Sequence, residues 1–423
     1  MDYKLTKLDN GLRVLTVVMP SLESATLTLW VKTGSRFEDK RIRGISHFIE
    51  HMAFKGGKKY KSAKIVSETL EGMGADFNAA TSKELTSFYV KVRTDLIEKA
   101  FDVLSDIIFS PVYKGEELKK EKGVIIEEIS MQEDNPSDKV SLVFTEMIFQ
   151  GNPLAEDIAG TKETVQNLTK NDIQSYSAGY YVTDNLLLTV SGGIDRQKIE
   201  KLAEKYFNSV ESGRAFEYKK FSDNQRSARL KVHYKKTEQA NIILGQIGFE
   251  RTDDKKYAEA ILSVILGGGM SSRLFTEIRE KRGLAYAVGT SPSGYIDTGV
   301  FASFAATDPK NAKEVIKIII DEQEKIAARS GKITKKELTK AKEYIKGRTA
   351  LSLEDTNSVN GFFAKRALFF DEIITPNDLF KLIDKVTDDE IYAISNELFN
   401  RKKLNLAIVG PFKSDEDFKK LLV

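Results

Sequence analysis

The 423-residue chain contains no cysteine. Disulfides, thiolate metal sites and cysteine nucleophiles are therefore excluded. It contains only three histidines, so any imidazole chemistry is confined to very few positions. Neither sign of charge dominates, with 65 Lys and Arg against 62 Asp and Glu and a net charge of +3. That balance leaves no electrostatic footprint for nucleic acid or for an anionic membrane surface. No uninterrupted apolar run approaches the roughly 20 residues of a membrane span. The opening stretch MDYKLTKLDNGLRVL lacks the basic segment and apolar run of a signal peptide, and is not the Arg-rich, acid-poor stretch of a transit peptide. These absences lead to the expectation of a soluble, cytoplasmic protein with no nucleic-acid or membrane partner.

What is present is an ordinary globular composition, in a chain too long for one compact core. In "SATLTLWVKTG", Leu27, Leu29 and Val31 alternate with the period of a strand. From Gly44 to about Phe54, the apolar residues Ile45, Phe48, Ile49 and Met52 suit a buried helix. "SAKIVSETLEGMGA" reads as a helix stopping near Gly74. "FNAATSKELTSFYVKV" reads as a strand pair. "DLIEKAFDVLSDIIFSP" aligns Leu96, Ala100, Leu104 and Ile107 or Ile108 on one helical face, with Asp95 as its expected cap. "EELKKEKGVIIEEISMQEDNP" is a further helix and "NLLLTVSGGI" a buried strand.

The second half echoes the first. "LTKNDIQSYSAGYYVTDNLLLTVSGGI" returns as "VTDDEIYAISNELFNRKKLNLAIVGPF", and "WVKTGSRFEDKRIRGISHFIEHMAFKGG" as "GQIGFERTDDKKYAEAILSVILGGG". The fold expected is α+β: two homologous α/β-sandwich domains, each an antiparallel-rich sheet with helices packed on it. The expected boundaries are 1–210, a polar linker over 211–228, and 229–423.

Two of the three histidines fall in one short stretch, "GISHFIEHMAFKGG" from Gly44 to Gly57. On a helix, His47, Glu50 and His51 share a face. Two imidazoles one turn apart offer a bite for zinc, and a carboxylate beside them can take a proton from a metal-activated water. Two surface histidines on an amphipathic helix would be the bland alternative, but this helix is apolar and unpaired polar groups within it are costly. His-x-x-Glu-His is the reverse of the zincin pattern, the inverzincin order. In the second repeat Ala258, Ile261 and Leu262 stand opposite His47, Glu50 and His51, so the chemistry survives in one copy.

These residues resemble the pitrilysin/insulinase family of zinc metallopeptidases, in its short-chain, mitochondrial-processing-peptidase-like branch. The resemblance implies a third metal ligand just under 80 residues downstream and a second glutamate seven residues before it. Glu128 and Glu121 stand at those places. The Glu-Glu pair leaves Glu127 as an alternative one residue away, with Glu128 favoured by its spacing to Glu121. "FNAATSKELTSFYVKV" looks like the family's substrate-pairing strand, which implies that Phe77, Asn78, Ala79, Ala80 and Thr81 bind peptide backbone; no charge or proline protects this stretch, as would be usual for an exposed edge. "SSRLFTEIREKRGLAYAV" is similar to the family's Arg-x6-Tyr segment, implying that Arg279 and Tyr286 hold a substrate carbonyl and its oxyanion. "LGGGMSSR", Leu266–Arg273, lacks the Gly-Lys-Ser/Thr ending of a phosphate loop and resembles the family's glycine-rich loop.

The resemblance implies one zinc per chain on His47, His51 and Glu128. Glu50 would be the general base, with Glu121, Arg279 and Tyr286 contributing to catalysis. Unstructured peptides would be cut inside a clamshell chamber. Longer family members fuse four such units, so two copies of this chain should make one clamshell. A homodimer is the simplest assembly, with a heterodimer as its alternative. The rival reading is a non-catalytic peptide-binding or structural subunit of a processing-type complex.

Overall fold

The computed structural model describes residues 1–213, 215 and 217–422. Two sheets organise it. The first holds β1 (Asp2–Lys7), β2 (Arg13–Val18), β3 (Ser24–Val31), β4 (Asp76–Thr81), β5 (Thr86–Arg93) and β6 (Leu186–Gly192), in the order β1-β2-β6-β3-β5-β4. Only β2 and β6 pair in parallel. The second holds β7 (Arg229–Tyr234), β8 (Ala240–Gly248), β9 (Ala285–Gly294), β10 (Gly299–Thr307) and β11 (Asn405–Gly410), in the order β7-β11-β8-β10-β9. Here too one pair, β7 and β11, is parallel. Setting β2, β6, β3, β5 and β4 against β7, β11, β8, β10 and β9 superimposes the two orders. The internal repeat is thus a repeat of topology, in an α+β fold of two helix-packed sheets.

The helices that matter for the site are α1 (Ile45–Ala53), α2 (Ala63–Gly72), α3 (Ile97–Phe109), α4 (Gly115–Asp134) and α5 (Pro136–Ile148). One face of the first sheet buries Leu27, Leu29, Val90 and Leu188 against α1 and α3, with Phe48, Ile49, Met52, Phe101 and Leu104 in the same core. Deleting a side chain such as Phe48, which has no exposed surface, costs about 3–5 kcal/mol. Asp95 does not cap α3. It lies in a short turn of 3₁₀ helix, Thr94–Leu96, and its carboxylate is taken by Arg93 at 2.6 Å. α3 starts from Leu96 without a side-chain cap.

The compact units do not follow the 1–210 and 229–423 division. One comprises Met1–Ile129, Glu156–Lys219 and Leu351–Thr375; the other comprises Ser130–Ala155, Lys220–Ala350 and Pro376–Val423. Each half of the chain lends a helix to the other half's sheet. Helix Thr356–Phe369 sets Val359, Phe363, Ala364 and Ala367 against Leu15, Val17, Trp30 and Leu187 of the first sheet. α5 sets Val140, Val143, Phe144 and Ile148 against Val300, Ala407 and Val409 of the second. Periodicity tells which face of a helix is apolar, not which sheet receives it. The 211–228 linker is free of helix and strand among the described residues. No described helix is long and apolar enough to cross a membrane.

Candidate metal centre

α1 is anchored at both ends before any chemistry begins. Its N-cap is Gly44, at φ +88°, where a Cβ would lie 2.4 Å from the carbonyl oxygen of Ala159. The buried carboxylate of Glu38 accepts from the Gly44 amide at 2.7 Å and the Ser46 amide at 2.9 Å. A carboxylate at this end of a helix satisfies open N–H groups and opposes the positive end of the dipole. Burial nevertheless pushes Glu38 up to about 7, with those two amides pulling the other way. The helix ends at Phe54, just before Gly56 at φ +113°.

The apolar residues of α1 face the core, which turns His47 and His51 toward α4. Their Nε2 atoms are 3.1 Å apart. The Glu128 carboxylate Oε2 lies 3.8 Å from His47 Nε2 and 3.6 Å from His51 Nε2. One ligand atom from each of the three residues lies within 4.8 Å of the others. Glu127 is exposed and stands outside this group. Glu121, seven residues before Glu128, is buried; its Oε1 lies 2.9 Å from His51 Nδ1, and its Oε2 pairs with Lys55 Nζ at 2.6 Å. Burial raises Glu121, but the bonds from His51 and Lys55 outweigh it and the net shift is downward. An ionised Glu121 takes the Nδ1–H of His51, which leaves the Nε2 lone pair facing His47 and Glu128.

This geometry fits a tetrahedral zinc. With Zn–N bonds of about 2.0–2.1 Å, ligand atoms sit roughly 3.3–3.4 Å apart along a tetrahedral edge. The three observed separations, 3.1, 3.6 and 3.8 Å, straddle that edge without any rearrangement of the helices. Burial, and secondarily the neighbouring His51, pushes His47 down to about 4. It therefore stays neutral, the form a metal ligand requires. Glu50 completes the face. Its Oε2 and the hydroxyl of neighbouring Thr81 are both buried, and neither makes a hydrogen bond of good geometry. Burial raises the Glu50 carboxyl above its ordinary range, partly offset by Thr81 and His51 and reinforced by Glu128.

β4 is the edge of its sheet and pairs only with β5, over Asp76–Thr81. Phe77 to Thr81 alternate between half-buried and exposed, and Phe77 rests on Phe54 at 5.6 Å between ring centres. Thr81 thus ends an open strand edge beside the base candidate. Arg279 and Tyr286 belong to the second unit, where they touch each other. The Arg279 guanidinium donates to the Tyr286 carbonyl at 2.7 Å and stacks over the rings of Tyr286 and Phe275, at 4.6 and 4.9 Å. Tyr286 is 76% exposed. Arg279 rides on a π-helical turn, Phe275–Glu280, a feature that concentrates at functional sites. Sequence reasoning missed Lys55, Glu38 and Phe275. Lys55 stands four residues after His51 and Phe275 four before Arg279, a helical spacing that offered the signal for both.

Residues 13–162 match the family described as Insulinase (Peptidase family M16), and residues 167–345 match the Peptidase M16 inactive domain. A protein of Streptomyces coelicolor described as an uncharacterized zinc protease is 34% identical over 417 residues, which cover 97% of this chain and 90% of that protein. The chain belongs to the M16 peptidase family. An uncharacterized zinc protease of Bacillus subtilis is 36% identical across 95% of this chain and 97% of its own. The crystal structure of a protease from Helicobacter pylori superimposes with a TM-score of 0.90 at 25% identity, covering 97% of this chain and all of that one. The inactive-domain match, residues 167–345, spans the positions that the repeat sets against His47, Glu50 and His51. Ala258, Ile261 and Leu262, opposite the metal-centre residues, are buried in the second core.

Proposed function

We propose that this M16 chain is a zinc-dependent endopeptidase that cuts unstructured peptides. The observation that carries the reading is the convergence of His47, His51 and Glu128 within 4.8 Å, beside the buried carboxylate oxygen of Glu50. One zinc per chain held by these three residues would supply Lewis acidity, polarising a peptide carbonyl and acidifying a water. Glu50 takes the proton of the attacking water and later delivers it to the leaving amine. Its burial favours that role, because a raised carboxyl is the stronger base. Glu121 fixes the His51 tautomer and Lys55 holds Glu121. The open edge from Phe77 to Thr81 receives an extended peptide as an added strand. A folded domain cannot offer such a segment, so the substrate class is unstructured peptide.

Arg279 and Tyr286, by their resemblance to the family pair, bind the substrate carbonyl as its charge develops. We assign the functional form as a homodimeric clamshell in which the two residues serve the metal centre of a second copy. The reading is tested with a mixed pool of unstructured peptides. Cleavage should require metal, stop with a chelator, and fall about 10²–10⁴-fold in Glu50→Gln, which keeps its metal. Peptide captured with zinc present but never cut would favour the non-catalytic, peptide-binding reading instead.

A further inference from the structure

The largest fully buried side chain in the described molecule is charged: Arg36 is 1% exposed. Its Nη1 donates to Glu84 Oε1 at 2.6 Å, and both side chains are excluded from solvent. A buried ion pair adds little net stability, because the desolvation of two charges offsets their attraction. Its presence calls for a positional reason.

That reason is visible in what the segment Thr33–Glu38 holds. On one side it grips the turn joining β4 to β5. The Ser35 amide donates to the Ser82 carbonyl at 3.2 Å and the Arg36 amide to the Lys83 carbonyl at 2.8 Å. The Thr86 hydroxyl donates to the Thr33 carbonyl at 2.9 Å. Gly34 lies so close to this turn that a Cβ would sit 2.0 Å from the Ser82 oxygen. On the other side, Glu38 holds the first amides of α1, and Tyr176 bridges Ser46 at 2.8 Å and Thr33 at 3.1 Å through its hydroxyl. One segment therefore ties the end of the open edge strand to the start of the helix that carries His47, Glu50 and His51. The Arg36–Glu84 pair locks its centre, with the Tyr218 ring stacked on the guanidinium at 4.3 Å.

We propose that the Arg36–Glu84 pair is a positioning device that sets where β4 lies relative to α1, and so which bond of a peptide bound along β4 stands over Glu50. The contacts described for the pair, with Lys219 and Tyr218, do not include His47, His51 or Glu128. It acts through the turn Ser82–Leu85. The inference rests on the proposed peptidase reading for its consequence, but not for its geometry.

The test replaces the pair together, Arg36→Met with Glu84→Leu, so that no lone charge is left buried. Zinc content should equal that of the parent. In a Glu50→Gln background, the amides of Asp76–Thr81 should exchange with solvent about 10-fold faster, a readout independent of activity. In the active background, KM for a multi-site peptide should rise more than kcat falls, and cleavage should spread from one bond to its neighbours. If the double variant does not fold, Arg36→Lys keeps the charge while losing the planar fork, and should show the same changes in smaller degree. Parent-like exchange of β4 together with an unchanged cleavage register, in a folded variant, overturns the proposal. A parent that cuts no peptide overturns the peptidase reading, while the exchange measurement still decides this one.

Discussion

Replacing Glu121 with alanine should weaken metal binding without touching a ligand. Its side chain is 6% exposed and holds two partners, His51 Nδ1 at 2.9 Å and Lys55 Nζ at 2.6 Å. Lys55, at 24% exposure, can turn to water when released. His51 cannot move as easily, because α1 is fixed by its buried residues, and its Nδ1–H is left unsatisfied. A charge-assisted bond of this kind contributes about 1.5–3 kcal/mol. At about 1.4 kcal/mol per factor of ten, that gives a loss of roughly 10- to 100-fold in zinc affinity, the size expected for a partner behind a metal-bound imidazole. Glu121→Gln keeps an acceptor for His51 and should lose less. Lys55→Ala leaves the His51 bond intact and should lose least. Competition against a chromophoric zinc chelator measures all three, with circular dichroism confirming the fold. Affinity within about twofold of the parent in a folded Glu121→Ala protein would refute the reasoning, as would a loss in Lys55→Ala equal to that in Glu121→Ala.

Mixing two dead variants, Glu50→Gln and Arg279→Ala with Tyr286→Phe, should restore activity if sites are shared between copies, since one site in each mixed dimer escapes both lesions; a mixture that has exchanged subunits and stays inactive contradicts sharing. Stability should also depend on Glu259. Burial pushes its carboxyl up to about 8, aided by Asp253 and opposed by the Phe249 amide. Because the folded value lies above the unfolded one, this contribution is fully present below pH of about 4.5 and is lost as pH rises toward 8, at about 1.4 kcal/mol per unit at most. Glu259→Gln should therefore unfold at higher urea than the parent at pH near 8 and show no such gain at pH near 4; parallel shifts at both would refute it. If the proposed peptidase reading holds, tightly folded domains should survive incubation with the protein while their unfolded forms are cut, as gel analysis would show; steady cleavage of a native domain would contradict recognition by an edge strand.

The grouping of the candidate metal-centre residues is legible because it is local. His47, Glu50 and His51 lie within one and a half turns of a single helix, and Glu121 and Glu128 within two turns of another. Helical spacing alone groups each set, although only the resemblance joined the two helices. The duplicated topology was legible for a similar reason, since the echo between halves preserves strand order. What stayed hidden depends on contacts between distant segments. Nothing in the periodicity of Thr356–Phe369 says that it covers Trp30 and Leu187 and not the sheet of its own half. Asp95 has the residue type of a cap, yet Arg93 two positions away competes for its carboxylate. Nothing local in "GSRFEDKR" marks Arg36 as buried, because its partner Glu84 stands 48 residues away.

The most direct test of the account is zinc content by elemental analysis across four purified proteins. The parent and Glu127→Ala should each carry about one zinc per chain, and His51→Ala and Glu128→Ala should carry almost none. Full zinc in Glu128→Ala with loss in Glu127→Ala would contradict the ligand set, and a parent that takes up no zinc would contradict the central claim itself.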